Sequence, residues 1–209
     1  AYGVILPALM ADFGWNRATA ALPHAVLLFV YAIGMGVGGI WQDRARPSGI
    51  AMLGGGLFAL GVLLASGADQ IWTLVASYGF LGGIGFGFAY VAAVTAAMKS
   101  LPARRGLAAG MVVGAFGLGA LVWAPLAQQG LAAHGWSGVF LRFGLLALVA
   151  LPVLGSFIRA PRTRPGAHAR EPGVPLRTAL RDTIFWLLFA AYTLVTAVGL
   201  LVLAHLVNR

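Results

Sequence analysis

The sequence predicts an all-α integral membrane protein, and composition, apolar runs and charge placement each lead there. Of 209 residues, 60% are hydrophobic and 9% charged, with a mean hydropathy of +0.90. A soluble globule of this length needs far more polar surface. The apolar residues form runs long enough to cross a bilayer as helices, which takes about 17–25 residues. None has the period-two alternation of a barrel strand. Eleven of the fourteen Lys and Arg residues fall in three alternate loops between the runs. These are Arg44 and Arg46, then Lys99, Arg104 and Arg105, then Arg159, Arg162, Arg164, Arg170, Arg177 and Arg181. Cationic loops stay on the cytoplasmic side during insertion. Loops 42–48, 99–105 and 159–182 are therefore expected in the cytoplasm of a multi-pass protein of the cell (inner) membrane.

The first apolar stretch, residues 2–10, rises only about 14 Å as a helix, against a hydrocarbon core of roughly 30 Å. The chain starts at Ala1 rather than Met, so it is expected to begin inside its first transmembrane helix and to be a fragment. Six full spans are expected after it, at 22–41, 49–66, 71–98, 106–128, 139–158 and 183–206. The intervening outward loops, 67–70 and 128–137, contain no Lys or Arg. Between the sixth and seventh helices, Pro161, Pro165, Pro172 and Pro175 prevent continuous helix. The expected organisation is a transmembrane bundle at 1–158, a cytoplasmic inter-domain linker at 159–182, and the first helix of an incomplete second bundle at 183–209.

Glycine recurs at helical spacing. Gly79, Gly83 and Gly87 form a stripe on the fourth helix, and Gly106, Gly110, Gly114 and Gly117 another on the fifth. In lipid such stripes let helix backbones approach closely, so both are expected to pack helices together.

The formal net charge of +9 lies largely in loops that topology already accounts for, so no nucleic-acid partner is expected. No Cys is present, which removes disulfides, Cys-ligated zinc and Cys nucleophiles. No signal peptide is expected, since no charged start leads into a short apolar core and a small-residue cleavage site. The five acids, Asp12, Asp43, Asp69, Glu171 and Asp182, are scattered over helix ends and loops; no enzyme constellation, metal site or cofactor is expected. Gly135-Trp136-Ser137-Gly138 spells the GxSG of intramembrane serine proteases, but it falls in an expected outward turn. A retinal protein would need a Lys in its last helix, and the single Lys99 is in a loop.

The loop Gly39-Ile40-Trp41-Gln42-Asp43-Arg44-Ala45-Arg46-Pro47 resembles the GxxxDR signature between helices two and three of the major facilitator superfamily. Gly39 matches the close-approach glycine, Asp43 the acidic residue and Arg44 the basic one. Arg46 and Pro47 depart from the Gly and basic residue usual there. The resemblance implies a latch in which the acidic side chain faces a helix N-terminus and holds two halves together in the outward-facing state. Three further strings are similar to the oxalate/formate antiporter branch and its monocarboxylate-porter relatives. They are Gly82-Gly83-Ile84-Gly85-Phe86-Gly87-Phe88-Ala89-Tyr90, Lys99-Ser100-Leu101-Pro102-Ala103-Arg104-Arg105-Gly106-Leu107-Ala108-Ala109-Gly110, and Gly114-Ala115-Phe116-Gly117-Leu118-Gly119. Asp12-Phe13-Gly14-Trp15 with Arg17, and Gly135-Trp136 with Phe140, also match. The implied fold is the N-terminal six-helix bundle of that superfamily, its first helix truncated, plus transmembrane helix 7.

The implied function is secondary transport of a small organic anion by alternating access, with the bilayer, a small-molecule substrate and a missing C-terminal half of the same protein as partners. Members that move carboxylates place their cations in the eighth and eleventh helices. Many proton-coupled members carry an Arg shortly before the fourth-helix glycines, whereas 76–81 contains none; exchange, uniport and coupling elsewhere all stay open. His24 and His205 are the titratable groups expected within spans. Candidate cavity residues are Tyr90, Tyr31, Tyr2 and His205, with Trp123 as an aromatic wall, because Tyr can donate to a carboxylate while burying its ring. The alternatives are the same fold carrying an unrelated small solute and, from another class, a seven-helix receptor or intramembrane enzyme.

Overall fold

A computed structural model describes residues 2–42, 45–158, 178, 181–187, 189–191 and 193–194. The chain divides into two units, Ala1–Arg162 and Thr163–Arg209. Every regular element among the described residues is a helix.

In the first unit, α1 (Tyr2–Phe13) stops at Gly14, whose φ of 66° is a left-handed value that glycine adopts without strain. Asn16 then caps the next helix, its Oδ1 accepting the Thr19 amide at 2.8 Å. Helix α2 (Arg17–Gln42) is about 39 Å long at 1.5 Å per residue. Pro47 starts α3 (Pro47–Ala65), where a missing amide costs nothing because first-turn amides have no helical acceptor. Helix α4 (Ile71–Ser100) has π-type geometry from Val75 to Leu81 and ends before Pro102, which disfavours helix at Leu101.

After a short 3-10 turn (Pro102–Arg104), helix runs from Arg105 to Ser156 with one break, Gly135, at φ 65° and ψ −180°. We label its halves α5, residues 105–134, and α6, residues 136–156. The expected loop at 128–137 is therefore corrected: helix continues to residue 134 and the reversal turns on Gly135. Gln128, Gln129 and His134 look like turn residues in the sequence, yet polar side chains at a membrane interface do not end a helix. A glycine in a conformation closed to other residues does.

Glycine contacts fix the helix directions. Ideal Cβ atoms built at Gly79, Gly83 and Gly87 would meet, respectively, Pro23 O at 3.0 Å, Leu27 O at 2.9 Å and Tyr31 O at 2.7 Å, so α4 runs parallel to α2. Gly61 lies against Ser77 O and Gly54 against Gly85 O, both 2.7 Å from the added atom, so α3 is antiparallel to α4. Gly144 meets Leu63 while Gly155 meets Met52, so α6 is antiparallel to α3. Arg46, Lys99, Arg104, Arg105 and the end of α6 consequently share one end of the bundle.

The opposite end is tied by side chains. Trp136 Nε1 donates to Asp12 Oδ2 at 2.7 Å, the Ser137 hydroxyl donates to the Ser66 carbonyl, and Phe13 stacks on Trp15 with centroids 4.3 Å apart. The core beneath is built from Ile5, Leu9, Leu74, Val139 and Phe140. The helices α2 and α3, α4, and the 102–156 segment containing α5 and α6 are long and apolar enough to cross a membrane.

In the second unit, residues 183–187, 189–191 and 193–194 are helical. Asp182 Oδ1 accepts the Ile184 amide at 2.9 Å, the capping arrangement expected of a helix beginning at residue 183.

Candidate functional site

Phe86 and Tyr90 are four residues apart, so they share one face of α4. The other faces are already committed. Gly79, Gly83 and Gly87 lie against α2, and Gly85 lies against the α3 backbone at Phe58. Tyr31 of α2 is brought beside this third face by the Gly87 contact, which sets the register of the two parallel helices. Its ring lies 4.9 Å from Phe86 and 5.7 Å from Tyr90, edge-on to the latter at 76°. Phe116 of α5 completes the group, 5.7 Å from Phe86 and 6.4 Å from Tyr90. Phe58 of α3 backs Phe86 at 5.7 Å. All five residues lie well inside their helices.

The chemistry this allows is specific. Two phenolic hydroxyls can donate to an anion, and rings at edge-on and tilted angles present partly positive edges to it. Phe116 is 60% exposed, so the group opens along α5 rather than being sealed in the core. On that helix Gly106, Gly110, Gly114 and Gly117 have no atom within 4 Å of an added Cβ among the described residues. The two glycine stripes therefore differ: the fourth-helix stripe packs on α2, whereas the fifth-helix stripe, expected to pack, faces open space.

The other residues singled out in the sequence are placed apart. Tyr2 is 6% exposed and donates to the Ala20 carbonyl at 2.7 Å, in a separate group of rings with His24 and Tyr78. Trp123 lies edge-on to Phe143 at 5.3 Å and belongs to neither group. At the far end of α2 an added Cβ on Gly39 would reach only Val91 at 3.9 Å, while Gly38 would meet Phe88 and Val91 at 3.0 Å. The close helix approach therefore falls at Gly38. Asp43, Arg44 and His205 lie outside the described residues.

Phe86, Phe116 and Phe58 carry no distinguishing chemistry in the sequence. The one usable signal was the four-residue spacing of Phe86 and Tyr90 at the end of the glycine-rich stretch 82–87. The Asp12 to Trp136 bond joins residues read separately in two distant strings.

Residues 1–207 match the family model of the Major Facilitator Superfamily. Monocarboxylate transporter 13 of Bos taurus is 29% identical over 206 residues, covering 99% of this chain and 48% of that protein. The oxalate:formate antiporter of Oxalobacter formigenes is 30% identical over 172 residues, 80% of this chain and 41% of its own length. Monocarboxylate transporter 11 of Mus musculus is 31% identical over 180 residues, 85% of this chain and 38% of that protein. The chain thus spans about half the length, or less, of these relatives.

Proposed function

We propose, since this chain belongs to the Major Facilitator Superfamily, that it forms part of a secondary transporter that moves a small organic anion across the cell (inner) membrane by alternating access. Residues 1–158 form one bundle, 159–182 a cytoplasmic linker, and 183–209 the first helix of a second bundle. The anion binds at mid-membrane depth, where one bundle rocks against the other. The observation that carries this reading is the Tyr31, Phe86, Tyr90 and Phe116 group, assembled from three helices and open along α5.

Tyr31 and Tyr90 hydrogen-bond the carboxylate, and the Phe rings form its walls. Trp123 lies farther along the same helix as Phe116, at the margin of the path. Asp43 and Arg44 act as the latch at the cytoplasmic end, beside the close helix approach at Gly38. The names of the relatives, monocarboxylate transporters and an oxalate:formate antiporter, support monocarboxylates or oxalate and formate as the substrate class.

Counter-transport decides it. Proteoliposomes containing the full-length protein and loaded with one small acid are expected to exchange it for labelled oxalate, formate or a monocarboxylate. A panel of such acids giving no exchange would refute the substrate reading. A second reading, a neutral solute in the same fold, is favoured by one observation: the rings packed around the Tyr pair, Phe86, Phe116 and Phe58, are uncharged. Uptake of a neutral solute by vesicles inert to every acid would establish it.

A further inference from the structure

A second group of polar rings lies inside the same bundle, and the proposed anion path makes no use of it. His24 of α2 stacks on Tyr2 of α1, with centroids 5.1 Å apart and planes 8° apart. Tyr2 stacks in turn on Tyr78 of α4 at 5.0 Å and 16°. The Tyr78 hydroxyl lies 3.4 Å from His24 Nδ1, and Phe140 of α6 covers Tyr78 at 5.6 Å. The Tyr2 hydroxyl is committed to the Ala20 carbonyl at 2.7 Å. Tyr2 is thus a fixed platform under the imidazole, and Tyr78 is the hydroxyl that answers to it.

His24 lies about 10 Å along the helix axis from Arg17 at 1.5 Å per residue, within the span. An ionisable side chain at that depth is costly to keep and marks a functional position by default. Histidine is also the side chain whose charge ordinarily changes near neutral pH. A neutral imidazole in its Nε2–H tautomer accepts the Tyr78 hydroxyl proton at Nδ1. A protonated one donates from Nδ1, so Tyr78 must turn its hydroxyl and accept instead. The Tyr2 ring face, stacked on the imidazole, suits the cationic form.

One proton therefore reverses one hydrogen bond between α2 and α4. Tyr78 lies in the π-type stretch Val75–Leu81, a geometry that recurs at functional sites. Among the described residues, the titratable groups facing His24 are Tyr78 from α4 and Tyr2 from α1.

We propose that His24 is a proton-binding site, that Tyr78 transmits its charge state to α4, and that the pair couples proton occupancy to transport. The coupling rests on the transport reading above, whereas the proton site does not.

Two experiments on the full-length protein separate them. In lipid nanodiscs, the imidazole nitrogen resonances of His24, assigned by their loss in His24→Gln, are followed between about pH 5 and pH 8. Titration inside that window with a midpoint moved by Tyr78→Phe is expected. An imidazole that holds one protonation state throughout overturns the proposal. In proteoliposomes, wild-type exchange is expected to change about tenfold over that range and His24→Gln exchange less than about twofold. A His24→Gln protein with the wild-type pH profile overturns the coupling while leaving transport standing. If His24→Gln loses exchange altogether, Tyr78→Phe decides, and an unshifted profile overturns the coupling. Wild-type vesicles that move no organic acid refute the transport reading, and the resonance titration still settles protonation at His24.

Discussion

Replacing Gly87 with Ala tests the seam that holds the candidate site together. An added Cβ would lie 2.7 Å from both Met35 N and Tyr31 O and 2.8 Å from Gly34 C. These are backbone atoms of α2, so no side-chain rotation relieves the clash. Reaching ordinary contact near 3.4 Å requires α2 and α4 to part locally by about 0.7 Å. Overpacking of this kind costs about 1–3 kcal/mol, offset by up to about 1 kcal/mol of helix propensity gained on replacing glycine. Three unyielding backbone contacts put the cost in the upper part of that range, about 2–3 kcal/mol, so a net loss of about 1–2 kcal/mol remains and corresponds to a fall of roughly 2–8 °C in Tm at 2–4 °C per kcal/mol. The matched control is Gly36→Ala on α2, where nothing lies within 4 Å among the described residues; only the propensity term applies and Tm should hold or rise. Thermal unfolding of purified protein in detergent, followed by tryptophan fluorescence, measures both. A Gly87→Ala protein as stable as wild type, or a Gly36→Ala protein that falls equally far, would refute the close-contact reasoning.

Other substitutions probe the site and the reversal at the opposite end. Tyr90→Phe removes the hydroxyl proposed to donate to the anion, a bond worth about 1.5–3 kcal/mol for a charged acceptor, so KM for the acid should rise roughly tenfold or more with expression unchanged; an unaltered KM would exclude Tyr90 from the binding site. Gly135→Ala places a Cβ at φ 65° and ψ −180°, which costs about 1–3 kcal/mol, and its Tm should fall even though no atom lies within 4 Å of the added carbon. Trp136→Phe keeps the ring but deletes the donor to Asp12, a loss on the order of 1 kcal/mol; Asp12→Asn in the Trp136→Phe background should then add little, as a double-mutant cycle would show. A periplasm-active reporter fused within residues 67–70 should be active and one near Gly166 inactive; the reverse pattern would invert the assigned orientation.

The spans were legible because crossing a bilayer imposes a length and a hydropathy that a single run of residues either meets or fails. Helix starts at Arg17, Pro47 and Ile71 follow local chemistry: an Asn cap, a proline in the first turn, and an extended Gln70 before Ile71. The expected turn at 128–137 contained Gly135 but began too early, because polarity is a poor guide to helix ends and Gln128 and Gln129 are exposed on a continuing helix. The π-type stretch from Val75 to Leu81 left no sequence signal at all. Its Ser77 hydroxyl donates to the Thr73 carbonyl at 2.6 Å, a bond equally open to an ordinary helix.

Run length, residue type and the placement of Lys and Arg were enough to establish a multi-pass helical membrane protein and, with its motifs, a superfamily. These properties are local, and each stretch of about twenty residues carries them unaided. Which surfaces meet is not local. Two glycine stripes of similar spacing have opposite fates, one pressed against α2 and the other without a neighbour among the described residues, because a stripe permits close approach without supplying a neighbour. Tyr31 meets Tyr90 across 59 residues of chain because the contact at Gly87 fixes the register of two parallel helices, and His24 meets Tyr78 through the same seam. Helix register depends on every contact along an interface at once, so it emerged only when the bundle was assembled.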